Sequence, residues 1–243
     1  MKFSLGQLLA AVLLPLMFAQ PASAQAPAPA AGTPPPAPAY TGPMYVVSYF
    51  ETAPGAAISK ARAALAGYAK SVRKEDGNTA FIALQRIGAS NYFVVLEAWK
   101  DKDAQVAHAG AAGTKAFREK LEPLLRSPYD ERPHMALASL PLKSGPKSAI
   151  YAVTHVDIVP TSKDIGIAMN STLAEDSRKD AGAISFDLWQ QASRPNHLTL
   201  VEVWKDQKSA DAHGVSDSVK AYRAKFAPIS GSPFDERLFK SID

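Results

Sequence analysis

The sequence predicts an α+β protein in which two tandem copies of a β-α-β-β-α-β unit pack sheet to sheet. The first observation is an internal repeat of 105 residues, in which a carboxylate, an indole and an imidazole recur in register: Glu97, Trp99 and His108, then Glu202, Trp204 and His213. The second is the order of strand-like and helix-like patterns, which both copies share. The third is a strand that is apolar on both faces, which a single copy would leave in water. Two copies cover these faces around a pseudo-two-fold axis, so we expect an intramolecular, pseudo-dimeric barrel.

Residues 1–24 have the composition of an export signal. Lys2 precedes an apolar run at residues 8–18, and Ala22-Ser23-Ala24 is typical of a cleavage site before Gln25. The apolar run is too short to span a bilayer comfortably. We therefore expect the segment to be removed and the protein to be periplasmic or secreted, with no stable membrane span. The alternative is an uncleaved membrane tether.

The rest of the chain divides into a linker and two domains. Residues 25–43 are mostly Ala and Pro and lack the side chains needed for a core, so we expect an extended spacer. The predicted domains are residues 44–142 and 150–243, joined by a short linker at 143–149. The absence of cysteine excludes disulfides and cysteine-based metal or redox sites. The net charge of +4 is too small to favour nucleic acid as a partner.

The first copy begins with a strand of β-branched and aromatic residues that is apolar on both faces. A stripe of apolar residues at three- and four-residue steps, which includes Leu65 and Tyr68, then predicts an amphipathic helix. Asp76-Gly77-Asn78 ends this helix. The elements predicted for the first copy are a strand at 44–50, a helix over 58–72, strands at 79–86 and 92–100, helices at 101–108 and 114–125, and a strand at 132–140.

The second copy repeats this order. Its first strand is predicted at 150–157, and a helix begins near Pro160. The elements that follow are strands at 184–191 and 197–205, joined by a hairpin turn at 193–196. The first strands fit best at an offset of 106 rather than 105, so one residue has been gained or lost in the first helix or its loops.

The β-α-β-β-α-β order is the ferredoxin-like arrangement, in which helices cover one face of an antiparallel sheet. Each copy resembles the antibiotic biosynthesis monooxygenase family, which includes quinol monooxygenases and has the dimeric α+β barrel fold. The resemblance rests on the Glu-x-Trp-Lys-Asp strand end, the His on the following short helix and the Pro-containing break before the last strand. It covers nearly all of residues 45–140 and 150–242. Members normally pair as homodimers, so the tandem copy resembles a fused dimer; a further homo-oligomer stays open.

The resemblance implies several activities, because relatives include cofactor-free oxygenases, haem-degrading enzymes and small-molecule isomerases. Haem-degrading relatives carry an Asn on the first strand, whereas Phe50 and Val156 stand at that place and cannot donate an amide contact. Haem degradation is therefore disfavoured. Cofactor-free oxygenation needs only a base, a dry aromatic pocket and a donor for developing negative charge. On this hypothesis no cofactor is expected, and the substrate is a small aromatic molecule.

The candidate catalytic residues come from the repeated motif. His108 and His213 are the candidate bases, because imidazole titrates near neutrality. Trp99 and Trp204 are candidate pocket walls whose indole N–H groups could act as donors. The alternative for all four is a packing role, in which the histidines fill the junction between helix and sheet and bond to backbone.

The candidate substrate-binding residues lie on two strands of each copy. Tyr49 and His155 occupy matching places on the first strands and could present a phenol and an imidazole to the pockets. Glu97 and Glu202 share a strand face with the tryptophans, where a carboxylate could orient a histidine or bind a substrate hydroxyl. The alternative for the two glutamates is an ion pair with a neighbouring Lys or Arg.

Two functions of different classes remain open at this point. The first is a cofactor-independent monooxygenase that oxidises a quinol-like or polycyclic phenolic molecule with O2. The second is a non-catalytic module that sequesters a small hydrophobic or aromatic ligand in the barrel cavity. The five histidines lack the spacing of metal ligands, so no metal site is expected. The two functions are separated by whether His108 or His213 faces a cavity.

Overall fold

The computed structural model describes residues 40–242. The export signal predicted for residues 1–24, and most of the linker predicted for 25–43, lie outside the described residues and stay predictions. Within residues 40–242, no helix is long and apolar enough to cross a membrane.

The first half of the described chain contains four strands and three helices. Strand β1, Met44–Glu51, supplies aromatic and β-branched side chains to both of its faces and is buried along most of its length. Pro123 lacks an N–H group, and at this point the third helix gives way to a 3-10 turn at Glu122–Leu124. The elements are β1 Met44–Glu51, α1 Ala56–Val72, β2 Asn78–Arg86, β3 Tyr92–Trp99, α2 Lys102–Gly110, α3 Ala112–Leu121 and β4 Asp130–Ala138.

The second half repeats the same order with small differences. Its first helix is preceded by a 3-10 turn at Pro160–Ser162, and another 3-10 turn at Ala227–Ile229 follows its last helix. The elements are β5 Ile150–Asp157, α4 Lys163–Ser177, β6 Ala183–Gln191, β7 His197–Trp204, α5 Gln207–Gly214, α6 Asp217–Phe226 and β8 Asp235–Ser241.

The eight strands form one closed antiparallel barrel in the order β1-β3-β2-β8-β5-β7-β6-β4. The last strand of each half closes it, because β4 pairs with β1 of its own half and β6 of the other. In the same way β8 pairs with β5 and reaches across to β2. Closure leaves no open sheet edge. The predicted fold class, two ferredoxin-like units joined into an intramolecular barrel, is confirmed.

Strand alternation divides the apolar side chains among three cores. One core fills the barrel interior and draws on both halves, with Val47 and Leu96 meeting Val153 and Val201. The other two lie between the outer face of the sheet and the helices of each half. Because residues two apart on a strand share a face, Phe93, Val95, Glu97 and Trp99 all point toward the helices. The motif therefore belongs to the helix-covered side of the sheet.

Element boundaries differ from the predicted ones by at most four residues. The helix predicted at 101–108 begins at Lys102, because Asp101 is its N-cap and accepts a hydrogen bond from the Ala104 N–H at 2.8 Å. The helix predicted at 114–125 instead runs from Ala112 to Leu121. The closing strand predicted at 132–140 lies two residues earlier, at Asp130–Ala138.

Candidate functional site

The motif places a carboxylate and an indole side by side at the end of β3 and again at the end of β7. Trp99 is fully buried, and its Nε1–H donates a hydrogen bond to Glu97 Oε2 at 3.0 Å. Trp204 Nε1–H donates to Glu202 Oε2 at 2.8 Å in the second half. The indole N–H groups therefore already donate to the glutamates, and the role of the two tryptophans as pocket walls stays a prediction.

The histidine of each short helix stacks on the indole. The ring centroids of Trp99 and His108 lie 4.4 Å apart, and those of Trp204 and His213 lie 4.6 Å apart. Both imidazoles are buried, with exposed fractions of 4% and 8%. The structure thus brings together the glutamate, tryptophan and histidine that the sequence pattern singled out.

A second carboxylate, which the sequence reasoning missed, holds each imidazole from the other side. His108 Nδ1 lies 2.7 Å from Glu75 Oε2, and His213 Nδ1 lies 2.8 Å from Asp180 Oδ2. Neither imidazole is tied to backbone through its ring nitrogens. We name the four residues of each half the first-half cluster (Glu75, Glu97, Trp99, His108) and the second-half cluster (Asp180, Glu202, Trp204, His213).

A glycine turn brings the second carboxylate to the imidazole. Gly77 has a φ of 79°, which favours glycine, and a Cβ there would lie 2.6 Å from the Ala104 side chain. Its carbonyl accepts a hydrogen bond from the Lys100 N–H at 2.8 Å, which ties the end of β3 to the turn after α1. Gly182 has a φ of 90° and repeats this turn in the second half.

The two clusters differ in what faces the histidine Nε2. Tyr68 on α1 places its hydroxyl 3.0 Å from His108 Nε2 and donates a hydrogen bond to Thr114 Oγ1 at 3.1 Å. The corresponding residues 105 positions later are Leu173 and Val219, which offer no polar atom. Among the described residues, His213 Nε2 has no hydrogen-bond partner, and Glu202 Oε2 lies 4.0 Å away. One imidazole has a free face and the other does not.

Burial shifts the pKa of the two cluster glutamates upward. The pKa of Glu97 rises to about 7, because burial outweighs the favourable charge of His108 and the hydrogen bond from Trp99. Burial likewise raises the pKa of Glu202 to about 8, against the hydrogen bond from Trp204. Among the described residues, the basic groups within 4.0 Å of the two glutamate carboxyls are imidazoles, at 3.5 Å for His108 and 4.0 Å for His213, so the alternative of an ion pair with Lys or Arg is wrong.

Two cavities adjoin Glu202 and His213 of the second-half cluster. An inner chamber of about 30 Å³ lies between the sheet and the helices, with Leu173 and Val219 among its walls, which leaves room for one or two water molecules. An outer cleft of about 260 Å³ lies beside α5, with Trp204 and Val215 on its walls. Glu202 and His213 line both cavities. A small aromatic molecule in the outer cleft would therefore meet the imidazole and the carboxylate together.

Tyr49 and His155 do not join either cluster. They lie on the barrel-interior faces of β1 and β5 and line a separate cavity at one end of the barrel. The opposite faces of the same strands meet the helices, where Phe50 and Val156 are buried in the outer cores. The expectation that Tyr49 and His155 face the same pockets as the histidines of the motif is therefore wrong.

No group of three or more potential metal ligands was found within residues 40–242. The sequence model of the family described as antibiotic biosynthesis monooxygenase matches residues 43–120 and 150–225, which together are more than half of the chain. The chain belongs to this family. Both matched segments contain the motif and end before the strand that closes each half of the barrel.

One curated protein and two solved structures illustrate what this chain is similar to. A candidate monooxygenase of Bacillus subtilis, YcnE, is 38% identical over 58 residues, which cover 24% of this chain and 61% of that protein. The crystal structure of a candidate monooxygenase from Fusobacterium nucleatum has a TM-score of 0.74 at 15% identity and covers 84% of this chain and 94% of that one. The structure of an anthrone oxidase-like protein has a TM-score of 0.63 at 11% identity, with 83% and 92% covered. The structural likenesses show the fold.

The chain spans 61% to 65% of the lengths of the curated relatives it matches. Among the cluster residues that the sequence reasoning missed, Glu75 and Asp180 carried a signal. Both are acids at the 105-residue offset, and each lies two residues before a glycine that repeats at the same offset, Gly77 and Gly182. Tyr68 carried no such signal, because it fits the apolar stripe of α1 as well as any core residue does.

Proposed function

We propose that this member of the antibiotic biosynthesis monooxygenase family is a cofactor-independent monooxygenase. Its substrate is a quinol-like or polycyclic phenol, and the reaction takes place at the second-half cluster. The observation that carries the proposal is that His213, whose Nε2 has no hydrogen-bond partner among the described residues, lines a cleft of about 260 Å³. His108 shows the complementary case, since the Tyr68 hydroxyl lies 3.0 Å from its Nε2. A phenol hydroxyl thus fits against the imidazole of His108, and a substrate hydroxyl can approach Nε2 of His213 in the same way.

His213 acts as the general base in this proposal. Asp180 accepts a hydrogen bond from Nδ1 at 2.8 Å, which keeps the proton on Nδ1 and leaves a lone pair on Nε2. The hydroxyl of the substrate transfers its proton to this nitrogen. The resulting phenolate is electron-rich enough to reduce O2 directly, so the substrate supplies all the electrons.

Glu202 supplies a hydrogen-bond donor for the charge that then develops. Because burial raises its pKa to about 8, the carboxyl is mostly protonated at pH 7. A neutral carboxylic acid in an apolar site can donate to an oxyanion. For an anthrone-type methylene, one oxygen atom of O2 becomes the new carbonyl oxygen. The other leaves as water with the two methylene hydrogens, and the methylene carbon loses four electrons to O2.

The test is oxygen uptake with a panel of hydroquinones and anthrones, comparing His213→Ala with its matched partner His108→Ala. We expect His213→Ala to lower the rate about 100-fold to 10,000-fold, the usual range for loss of a general base. We expect His108→Ala to keep the rate of the unmodified protein, because Tyr68 covers that imidazole. Circular dichroism confirms that both variants fold.

Two results would contradict the oxygenase proposal. One is full oxygen uptake by His213→Ala. The other is saturable binding of a panel compound to the unmodified protein, followed by tryptophan fluorescence, with no oxygen uptake for any member of the panel. The second result would favour a module that sequesters an aromatic ligand without catalysis.

A further inference from the structure

A polar cavity of about 410 Å³ lies at one end of the barrel, away from both clusters. It occupies the end where β1 and β5 finish and where β3 and β7 begin. Unlike the apolar barrel interior, its walls carry guanidinium, imidazole, phenol and carboxylate groups. Volumes of this size are typical of small-molecule sites. Neither the motif nor the proposed reaction uses this cavity.

The cavity lies on the pseudo-two-fold axis, because both members of several equivalent pairs line it. A homodimer would have to present the same side chain twice at such a place. This chain presents different side chains there, since tyrosines of the first half lie opposite histidines of the second half. The pairs are Tyr49 with His155, Tyr92 with His197, and Arg132 with Arg237. The cavity is therefore asymmetric and suits an asymmetric ligand.

Two of the arginines are fixed in place by the first-half tyrosines and by aspartates. The Arg132 guanidinium lies 4.9 Å from the Tyr49 ring centroid, and its Nε–H donates to Asp130 Oδ2 at 3.0 Å. The Arg237 guanidinium lies at the same distance from the Tyr92 ring. These contacts hold the guanidinium groups at the cavity wall, and the paired aspartates compensate one charge each.

Arg194 adds a third positive charge at the rim. It is exposed, lies in the turn between β6 and β7, and its guanidinium forms no hydrogen bond or ion pair with the described residues. The residue 105 positions earlier is Ala89, so only the second half contributes this charge. An exposed guanidinium over a polar cavity favours an anion, which Arg can bind in a bidentate manner.

A histidine pair adds an incompletely bonded group to the wall. His155 Nε2 and His197 Nδ1 lie 3.0 Å apart and share one hydrogen bond. His155 Nδ1 is buried and has no hydrogen-bond partner among the described residues. Buried polar atoms usually have a partner, so this nitrogen leaves one polar group unsatisfied beside the cavity.

We propose that this barrel-end cavity binds a small oxyanion, a carboxylate or a phosphate, with Arg194 and Arg132 as its charged contacts. The ligand is distinct from the phenol of the proposed reaction and occupies the opposite face of the sheet. Asymmetry of the walls selects one orientation of the ligand. The site needs both halves of the chain, since no single half supplies the three arginines.

The test is isothermal titration calorimetry of the full protein with succinate, inorganic phosphate and neutral succinamide. Arg194→Gln and Arg132→Gln are compared with Arg62→Gln, a matched loss of a guanidinium outside the cavity. We expect saturable binding of succinate or phosphate, and no binding of succinamide. Each cavity variant should weaken binding about tenfold to 100-fold, because a hydrogen bond to a charged group contributes about 1.5–3 kcal/mol. Arg62→Gln should bind as the unmodified protein does.

The relative affinities of succinate and phosphate distinguish the two oxyanion classes. Because Arg194 is exposed and its guanidinium forms no hydrogen bond or ion pair with the described residues, its variant tests the site even where loss of Arg132 disturbs folding. The proposal is overturned when neither anion shows saturable binding. It is also overturned when the folded Arg194→Gln protein binds as tightly as the unmodified protein, or when Arg62→Gln weakens binding equally.

Discussion

The two halves of the barrel share a glutamate, a tryptophan and a histidine but expose the histidine differently. In the first half, the Tyr68 hydroxyl and the Glu75 carboxylate bond to the two ring nitrogens of His108. In the second half, Asp180 bonds to Nδ1 of His213, and no described residue forms a hydrogen bond with its Nε2. The same motif is thus closed in one half and open in the other.

This difference shows that a repeated motif does not imply repeated chemistry. In each half, the indole and both carboxylates position the imidazole. A histidine with a purely structural role would need the same contacts. The residues that separate the halves are Tyr68 and Thr114 against Leu173 and Val219, and they lie on the covering helices rather than on the motif strand. The helices therefore decide which imidazole has a hydrogen-bond partner at Nε2.

The most direct test of this difference between the halves is to exchange the residues that cover the imidazole. Leu173→Tyr should place a phenol against His213, as Tyr68 does against His108, and thereby remove the base. We expect oxygen uptake to fall at least about 100-fold. The reciprocal variant Tyr68→Leu should keep the full rate. Both rates are measured with the hydroquinone and anthrone panel.

Leu173→Tyr adds volume to a packed region, which typically costs about 1–3 kcal/mol. Thermal unfolding followed by circular dichroism shows whether the variant is still folded at the assay temperature. A folded Leu173→Tyr protein with undiminished oxygen uptake would show that the residue at position 173 does not control the reaction at His213. A large loss in Tyr68→Leu would assign the reaction to the first half instead.

A smaller effect is expected from the carboxylates that orient the imidazoles. Asp180→Asn should weaken the hydrogen bond to His213 Nδ1 and lower kcat about tenfold to 100-fold, the equivalent of one charge-assisted hydrogen bond. Glu75→Gln is the matched change in the closed half and should leave kcat unaltered. Steady-state oxygen uptake measures both. Equal effects of the two substitutions would mean that the halves work alike.

The sequence was sufficient for the fold because its evidence was redundant. The 105-residue offset, the strand patterns and the need to cover a doubly apolar strand all require the same barrel. The contact of Glu97, Trp99 and His108 could also be predicted from the sequence. Strand alternation places Glu97 and Trp99 on one face, and the short helix that follows brings His108 back to that face.

The rest of the candidate site depended on information that alternation does not contain. Because β1 is apolar on both faces, nothing in its sequence indicates that Tyr49 faces the barrel interior while Phe50 faces the helices. Tyr68 is equally ambiguous, since a phenol in an apolar stripe packs like any core residue until its hydroxyl partner is known. Only the tertiary arrangement pairs it with His108.

The smallest expected effect concerns stability and pH, and it separates the halves by the pKa of their glutamates. A buried carboxyl whose pKa is raised in the folded state stabilises the protein fully below its ordinary pKa of 4.5. This stabilisation is lost as the pH rises through the folded value. That value is about 7 for Glu97 and about 8 for Glu202. Between pH 7 and 8, Glu202 therefore contributes more than Glu97 to the decrease of the free energy of unfolding with pH.

Glu202→Gln keeps an acceptor for the Trp204 N–H but cannot ionise. The free energy of unfolding of the unmodified protein and of Glu97→Gln should fall from pH 7 to 8 by up to about 1.4 kcal/mol more than that of Glu202→Gln. Urea unfolding at pH 5, 6, 7, 8 and 9 measures these slopes. Parallel curves for the unmodified protein and Glu202→Gln would show that the second-half carboxyl ionises at its ordinary pKa. It would then lack the proton that the proposed oxyanion contact requires.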